Sequence, residues 1–240
     1  PETRGQKIIP DSCFLLYRGI PVIMETIEVI LEGLPTLLRG MGVTIEITVI
    51  SLILAMFIGL ILGVFSITKS KILRGFSTAF VDIIRGTPLL VQILFIYFGL
   101  PSVIDIDLTA FSAGVIAITV NAAAYLVEIF RAGINSIDKG QMEAGRTIGF
   151  SYAQTMRLII LPQAIKRMIP AIVNQFIVSI KDTSLLSAIG LAELTLSGQS
   201  IYAANYRAFE ILFAVGVLYF VIIYSLSLFA RWLERRLDVA

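Results

Sequence analysis

Asn121, Tyr125 and Glu128 recur at i, i+4 and i+7 inside an otherwise apolar stretch, a spacing that puts all three on one helix face. A second polar group is Lys181, Asp182, Thr183 and Ser184, with Asn174 and Gln175 seven residues upstream of the charged pair. Neighbouring residues on a helix point about 100° apart, so Asn174 shares a face with Lys181, and Gln175 shares one with Asp182. Gln92 is the one amide in a third apolar run.

At bilayer depth such side chains bind a polar solute, relay an ion, or tie helices together by hydrogen bonds. Asn121, Tyr125, Gln92 and Gln175 fit either a substrate path or an interhelical seam. Glu128 has Arg131 close by to hold it as scaffold, and otherwise joins the path. An Asp182 carboxylate facing a cavity favours a cationic substrate, whereas one paired with a base is scaffold. Thr183 and Ser184 either bond a substrate or satisfy loosened backbone at a helix break.

Enzyme chemistry has little to build on. There is no histidine and a single cysteine, Cys13, which removes disulfides, Cys/His metal clusters and imidazole bases. No G-x-x-x-x-G-K-[ST] phosphate loop occurs, so work driven by a nucleotide needs another chain. The chain is read as a non-enzyme that binds no metal or cofactor itself.

The elements that carry these residues follow from composition. The chain is 57% hydrophobic and 15% charged, with a mean hydropathy of +0.90, where a soluble domain is about a quarter charged. Its net charge of +2 gives no sign of a nucleic-acid partner. A helix crossing a bilayer needs about 20 mainly apolar residues. Stretches near 43–67, 80–100, 108–130, 168–189 and 208–230 qualify, with Pro88 a kink or helix start in the second. The expected fold is an all-α polytopic membrane protein of about five transmembrane helices, with a membrane domain over 41–240. Residues 1–40 form an N-terminal segment with an extracytoplasmic or interfacial helix. Its short apolar run leads to no small-residue cleavage site, so it is not read as a signal peptide. Met24 is an alternative start, which leaves open whether residues 1–23 are native.

Lys and Arg resist translocation and fix orientation. Lys69, Lys71 and Arg74 follow the first span; Arg131, Lys139, Arg146, Arg157, Lys166 and Arg167 follow the third; Arg231, Arg235 and Arg236 end the chain. These segments are expected in the cytoplasm. Asp105 and Asp107 after the second span, and Glu193 after the fourth, face outward. The amino terminus is then outside and the carboxy terminus cytoplasmic, in a multi-pass protein of the cell membrane.

The cytoplasmic segment of about 132–167 is far longer than a turn needs and reads as short amphipathic helices punctuated by glycine and proline. It contains Glu143-Ala144-Gly145, then Gly149, then Ile159, Leu161 and Pro162. That spacing resembles the EAA loop of ATP-binding-cassette (ABC) importer permeases, with glycine replacing the second alanine. Arg85–Gln92 (RGTPLLVQ), Ala124–Arg131 (AYLVEIFR), Gly140–Ala144 (GQMEA) and Lys181–Leu185 (KDTSL) are similar to the polar amino acid uptake branch. The resemblance runs from about Gly33 to Arg236.

The resemblance implies that Glu143, Ala144, Gly145, Gly149, Ile159, Leu161 and Pro162 form a cytoplasmic coupling helix docking on an ATPase subunit. It implies an ATPase dimer that holds ATP and Mg, a second permease chain (identical or a close paralogue), and an extracytoplasmic substrate-binding protein. It also implies alternating access driven by ATP. Acidic groups at depth and on the outer loops favour a basic amino acid as substrate, with glutamine or another neutral polar amino acid as the alternative. A secondary transporter coupled to ions is the rival reading, against which stand the loop spacing and the lack of an inverted repeat. A membrane-embedded enzyme lacks a nucleophile and base to support it.

Overall fold

In the computed structural model the backbone is described for residues 11–236 and side chains for residues 24–236. All described elements are helical. They are α1 (Asp11–Ile67), α2 (Lys71–Arg85), α3 (Leu89–Leu94), α4 (Leu100–Ile104), α5 (Ala110–Asn135), α6 (Lys139–Thr147), α7 (Tyr152–Thr155), α8 (Leu161–Asp182), α9 (Leu194–Asn205) and α10 (Ala208–Arg236). A 3-10 segment, Thr183–Ile189, extends α8. The questions about residues 1–10 lie outside the described residues.

Among the described residues three helices are long and apolar enough to cross a membrane: Met24–Ile67, Ala110–Asn135 and Ala208–Arg236. The bent pair Lys71–Arg85 and Leu89–Ile104, turned by 101°, makes a fourth candidate. The expected span at 80–100 is therefore not one helix. Gly86 donates to the Asp82 carbonyl at 2.9 Å, Pro88 starts a new helix with ψ 135, and the chain turns sharply between them. The helix that carries the first expected span begins well before residue 43, because α1 passes through residue 40 without a break. The expected span at 168–189 starts earlier, as α8, and finishes as 3-10 helix. With Lys166, Arg167, Lys181 and Asp182, it does not meet the apolar measure on its own.

Helix packing fixes the directions. Ser51 Oγ donates to the Val115 carbonyl, and Thr119 Oγ1 donates to the Ser51 carbonyl, each at 3.2 Å. Further along, Gly59 sits against Leu126 and Gly63 against Phe130, so α1 and α5 run parallel. Small residues let the two backbones approach, and Ala122, Ala123 and Ala124 are fully buried there. Gly33 against Ile211, and Leu37 and Met41 packed with Val215 and Leu218, set α10 parallel to α1. Gly133 meets Met168 and Gly114 meets Leu186, so α8 with its 3-10 extension runs the length of α5 in the opposite direction.

Two π turns, Phe95–Gly99 and Met156–Ile160, each end two residues before a proline, Pro101 and Pro162. Proline lacks the N–H for an i→i−4 bond and its ring crowds that carbonyl, so a widened turn in front of it is the local accommodation.

Candidate functional site

The face of α5 that carries Asn121, Tyr125 and Glu128 is occupied by the elbow between α2 and α3. Gln92 Nε2 donates to the Ile84 carbonyl at 2.7 Å, to the Thr87 carbonyl at 3.2 Å and to Thr87 Oγ1 at 2.9 Å. Its Oε1 accepts from Asn121 Nδ2 at 3.2 Å. One side chain thus bonds a carbonyl left over at the end of α2 and ties the elbow to α5. One turn further along α5, the Arg85 guanidinium lies 5.1 Å from the centroid of the Tyr125 ring. Glu128 accepts from Arg131 Nε at 3.1 Å and from Nη2 at 2.6 Å, with Arg85 at 3.7 Å. Asn121 is buried and Tyr125 exposed.

The second predicted group sits where α8 becomes 3-10 helix. Thr183 Oγ1 donates to the Ile180 carbonyl and Ser184 Oγ to the Lys181 carbonyl, both at 2.7 Å, so each hydroxyl serves the backbone at the break. Gln175 is buried and reaches Ser179 Oγ at 3.4 Å. Lys181 is exposed and Asp182 half-buried, and among the described residues Asp182 has no hydrogen-bond or ion-pair partner.

Glu193, an outer-loop charge by its place in the sequence, is fully buried. It caps α9: Oε2 accepts from the Thr195 amide at 2.9 Å and Oε1 from the Leu196 amide at 2.8 Å, while Tyr219 O–H donates at 2.9 Å. Burial raises the Glu193 carboxyl above its usual range, and these donors offset only part of that rise. An acid directly before the run Leu-Thr-Leu-Ser was the available signal, since acids favour helix N-termini.

The loop of residues 132–167 contains α6, α7 and the second π turn. Asp138 caps α6 by accepting from the Gly140 amide at 2.7 Å. Gly149, at φ +93, ends it; Phe150 N–H bonds the Gly145 carbonyl and Gly149 N–H the Arg146 carbonyl, each at 3.1 Å, a Schellman arrangement. Ser151 and Gln154 then form a capping box for α7. A Cβ on Gly145 would lie 2.4 Å from Thr155 Cγ2, which accounts for glycine where the EAA pattern has alanine. Glu143 and Ala144 are exposed beside Ile148 and Tyr152, Ile159 and Leu161 are half-buried, and Pro162 is exposed.

Parallel apolar helices, a broken return segment and a structured polar loop together define a helical membrane protein. Residues 55–239 match the family described as binding-protein-dependent transport system inner membrane component. The glutamine transport system permease protein GlnP of Escherichia coli is 44% identical over 208 residues, covering 86% of this chain and 95% of that protein. The arginine transport system permease protein ArtQ of Bacillus subtilis is 36% identical, covering 85% and 93%. A crystal structure of an amino acid ABC transporter with histidines superposes with a TM-score of 0.83 at 37% identity, covering 86% of this chain and 96% of that one. The chain belongs to this family of ABC importer permeases. ATP hydrolysis in such an importer comes from a separate ATP-binding subunit.

Proposed function

We propose that this permease admits a polar amino acid to the cell, with glutamine favoured over a basic amino acid. The observation that carries the preference is Glu128: Arg131 engages both of its oxygens and Arg85 stands near, so this intramembrane acid is already neutralised. The neighbouring polar groups, Gln92 and Asn121, are amides, and the more similar of the two named relatives carries glutamine. A basic substrate keeps one argument, the unpartnered carboxylate of Asp182.

Five crossings with the amino terminus outside are the topology we favour. The parallel register of α1, α5 and α10 supports the number of crossings, since successive parallel helices must be separated by a return, and α8 antiparallel to α5 supplies one such return. The bent pair α2–α4 supplies the other. The exposed cluster of Glu143, Ala144, Ile148 and Tyr152 docks on the ATPase; Gly145 and Gly149 shape it, and Ile159, Leu161 and Pro162 join it to α8. A second permease chain completes the path, and an external binding protein delivers the substrate.

Uptake by the assembled importer in proteoliposomes, with a panel of labelled amino acids, tests the substrate reading. Glutamine is expected to be taken up with ATP and to be outcompeted by neither arginine nor lysine. Uptake of arginine without glutamine would reverse the preference.

A further inference from the structure

We propose that Arg85 is an anchor for the α-carboxylate of the transported amino acid, an inference that rests on the amino acid reading above. Arg85 ends α2, and its guanidinium lines two adjoining cavities of about 260 and 530 Å³. Glu128 lines both cavities with it. Two features leave Arg85 uncommitted. Arg131 already occupies both oxygens of Glu128, so the 3.7 Å approach of Arg85 to that acid adds no hydrogen bond. Among the described residues none of the Arg85 N–H groups is hydrogen-bonded, and its side chain is 43% exposed.

The Tyr125 ring, 5.1 Å from the guanidinium, restrains it while leaving its N–H edge open. Of the other cations of these cavities, Arg74, likewise without a side-chain hydrogen bond or ion pair among the described residues, lines only the smaller one. Arg131 is spent on Glu128, and Arg167 Nη1 donates to the Ser136 carbonyl. The smaller cavity also holds Arg74 and Asp82, so three arginines face two acids there and one positive charge is in excess. A planar guanidinium with free donors takes a carboxylate in paired hydrogen bonds. Every amino acid carries that carboxylate whatever its side chain. Arg85 thus serves binding of the common part of the substrate and leaves side-chain choice to other groups.

The test compares two ligands on the detergent-solubilised complex of permease and ATPase, without the binding protein. One is glutamine; the other is 4-aminobutanamide, which is glutamine without its α-carboxylate. The wild-type complex should bind glutamine at least about tenfold more tightly. In Arg85→Gln that preference should collapse, and Arg85→Lys should restore part of it. A variant that keeps the full preference overturns the proposal. Equal weakening of both ligands, with a lowered melting temperature, also overturns it and makes Arg85 scaffold. If the wild-type complex binds none of glutamine, arginine or histidine, the amino acid reading itself falls, which is a distinct result.

Discussion

Gln92 and Asn121 are joined through their side-chain amides, Asn121 donating to Gln92 at 3.2 Å, while Gln92 spends its own N–H groups on the α2–α3 elbow. The bond converts a polar stripe on α5 into a docking seam. Gln92→Leu removes both halves and leaves the Ile84 carbonyl without this donor, at a cost of about 1–3 kcal/mol. The expected result is a lower melting temperature of the detergent-purified permease, with Asn121→Ala costing less because it spares the elbow. A Gln92→Leu protein as stable as wild type would show that the elbow holds without this tie.

Glu193 supports a second junction. Glu193→Ala removes the cap of α9 and the acceptor of Tyr219 and should cost about 1–3 kcal/mol. Glu193→Gln keeps an oxygen acceptor and should lose less. Equal losses for the two variants in thermal unfolding would indicate that the negative charge at the helix start, and not an oxygen acceptor alone, carries the stabilisation.

These two residues mark how far the sequence could be read. Helical class, the apolar spans and the loop around Glu143 and Gly149 rest on composition, period and spacing, which are local properties. The elbow is different: Pro88 signals a kink, but the 101° turn is accompanied by Gln92 bonding back to Ile84 and across to Asn121, and neither contact has a sequence signature. The same holds for Glu128, whose second partner, Arg85, is distant in the chain. Glu193 is buried although it lies in a loop, and loop position alone carries no sign of burial. Gly145 shows the reverse case, where a departure from the family pattern has a cause that only packing against Thr155 reveals.

Coupling to the ATPase is tested at Gly149. Proline cannot adopt φ +93 and lacks the N–H that bonds the Arg146 carbonyl, so Gly149→Pro should dismantle the end of α6. The variant is expected to insert in the membrane yet lose ATP-driven uptake. Normal uptake by Gly149→Pro would remove this turn from the docking surface.

Orientation is tested with cysteines at two exposed positions, Ser102 and Ser136, in a Cys13→Ser background. An impermeant thiol reagent on intact cells should label Ser102→Cys and spare Ser136→Cys. The opposite pattern would invert the topology and move the α6 surface away from any cytoplasmic ATPase.

Asp182 decides how much of the basic-substrate reading survives. It sits at the end of α8, half-buried, next to the exposed Lys181, with no bonded partner among the described residues. A carboxylate in a poorly hydrated cavity attracts a cation more strongly than it would in water. Asp182→Asn keeps the size and removes the charge. If the acid meets the substrate side chain, uptake of arginine or lysine should fall by a charge-assisted bond, about 1.5–3 kcal/mol or roughly ten- to a hundredfold, with glutamine spared. The glutamine reading predicts another result: glutamine uptake near wild type and no basic uptake to lose. A scaffold role predicts a third, in which every substrate falls alike and the melting temperature drops. Initial uptake rates for the three amino acids, measured beside thermal unfolding of the same preparation, separate these outcomes.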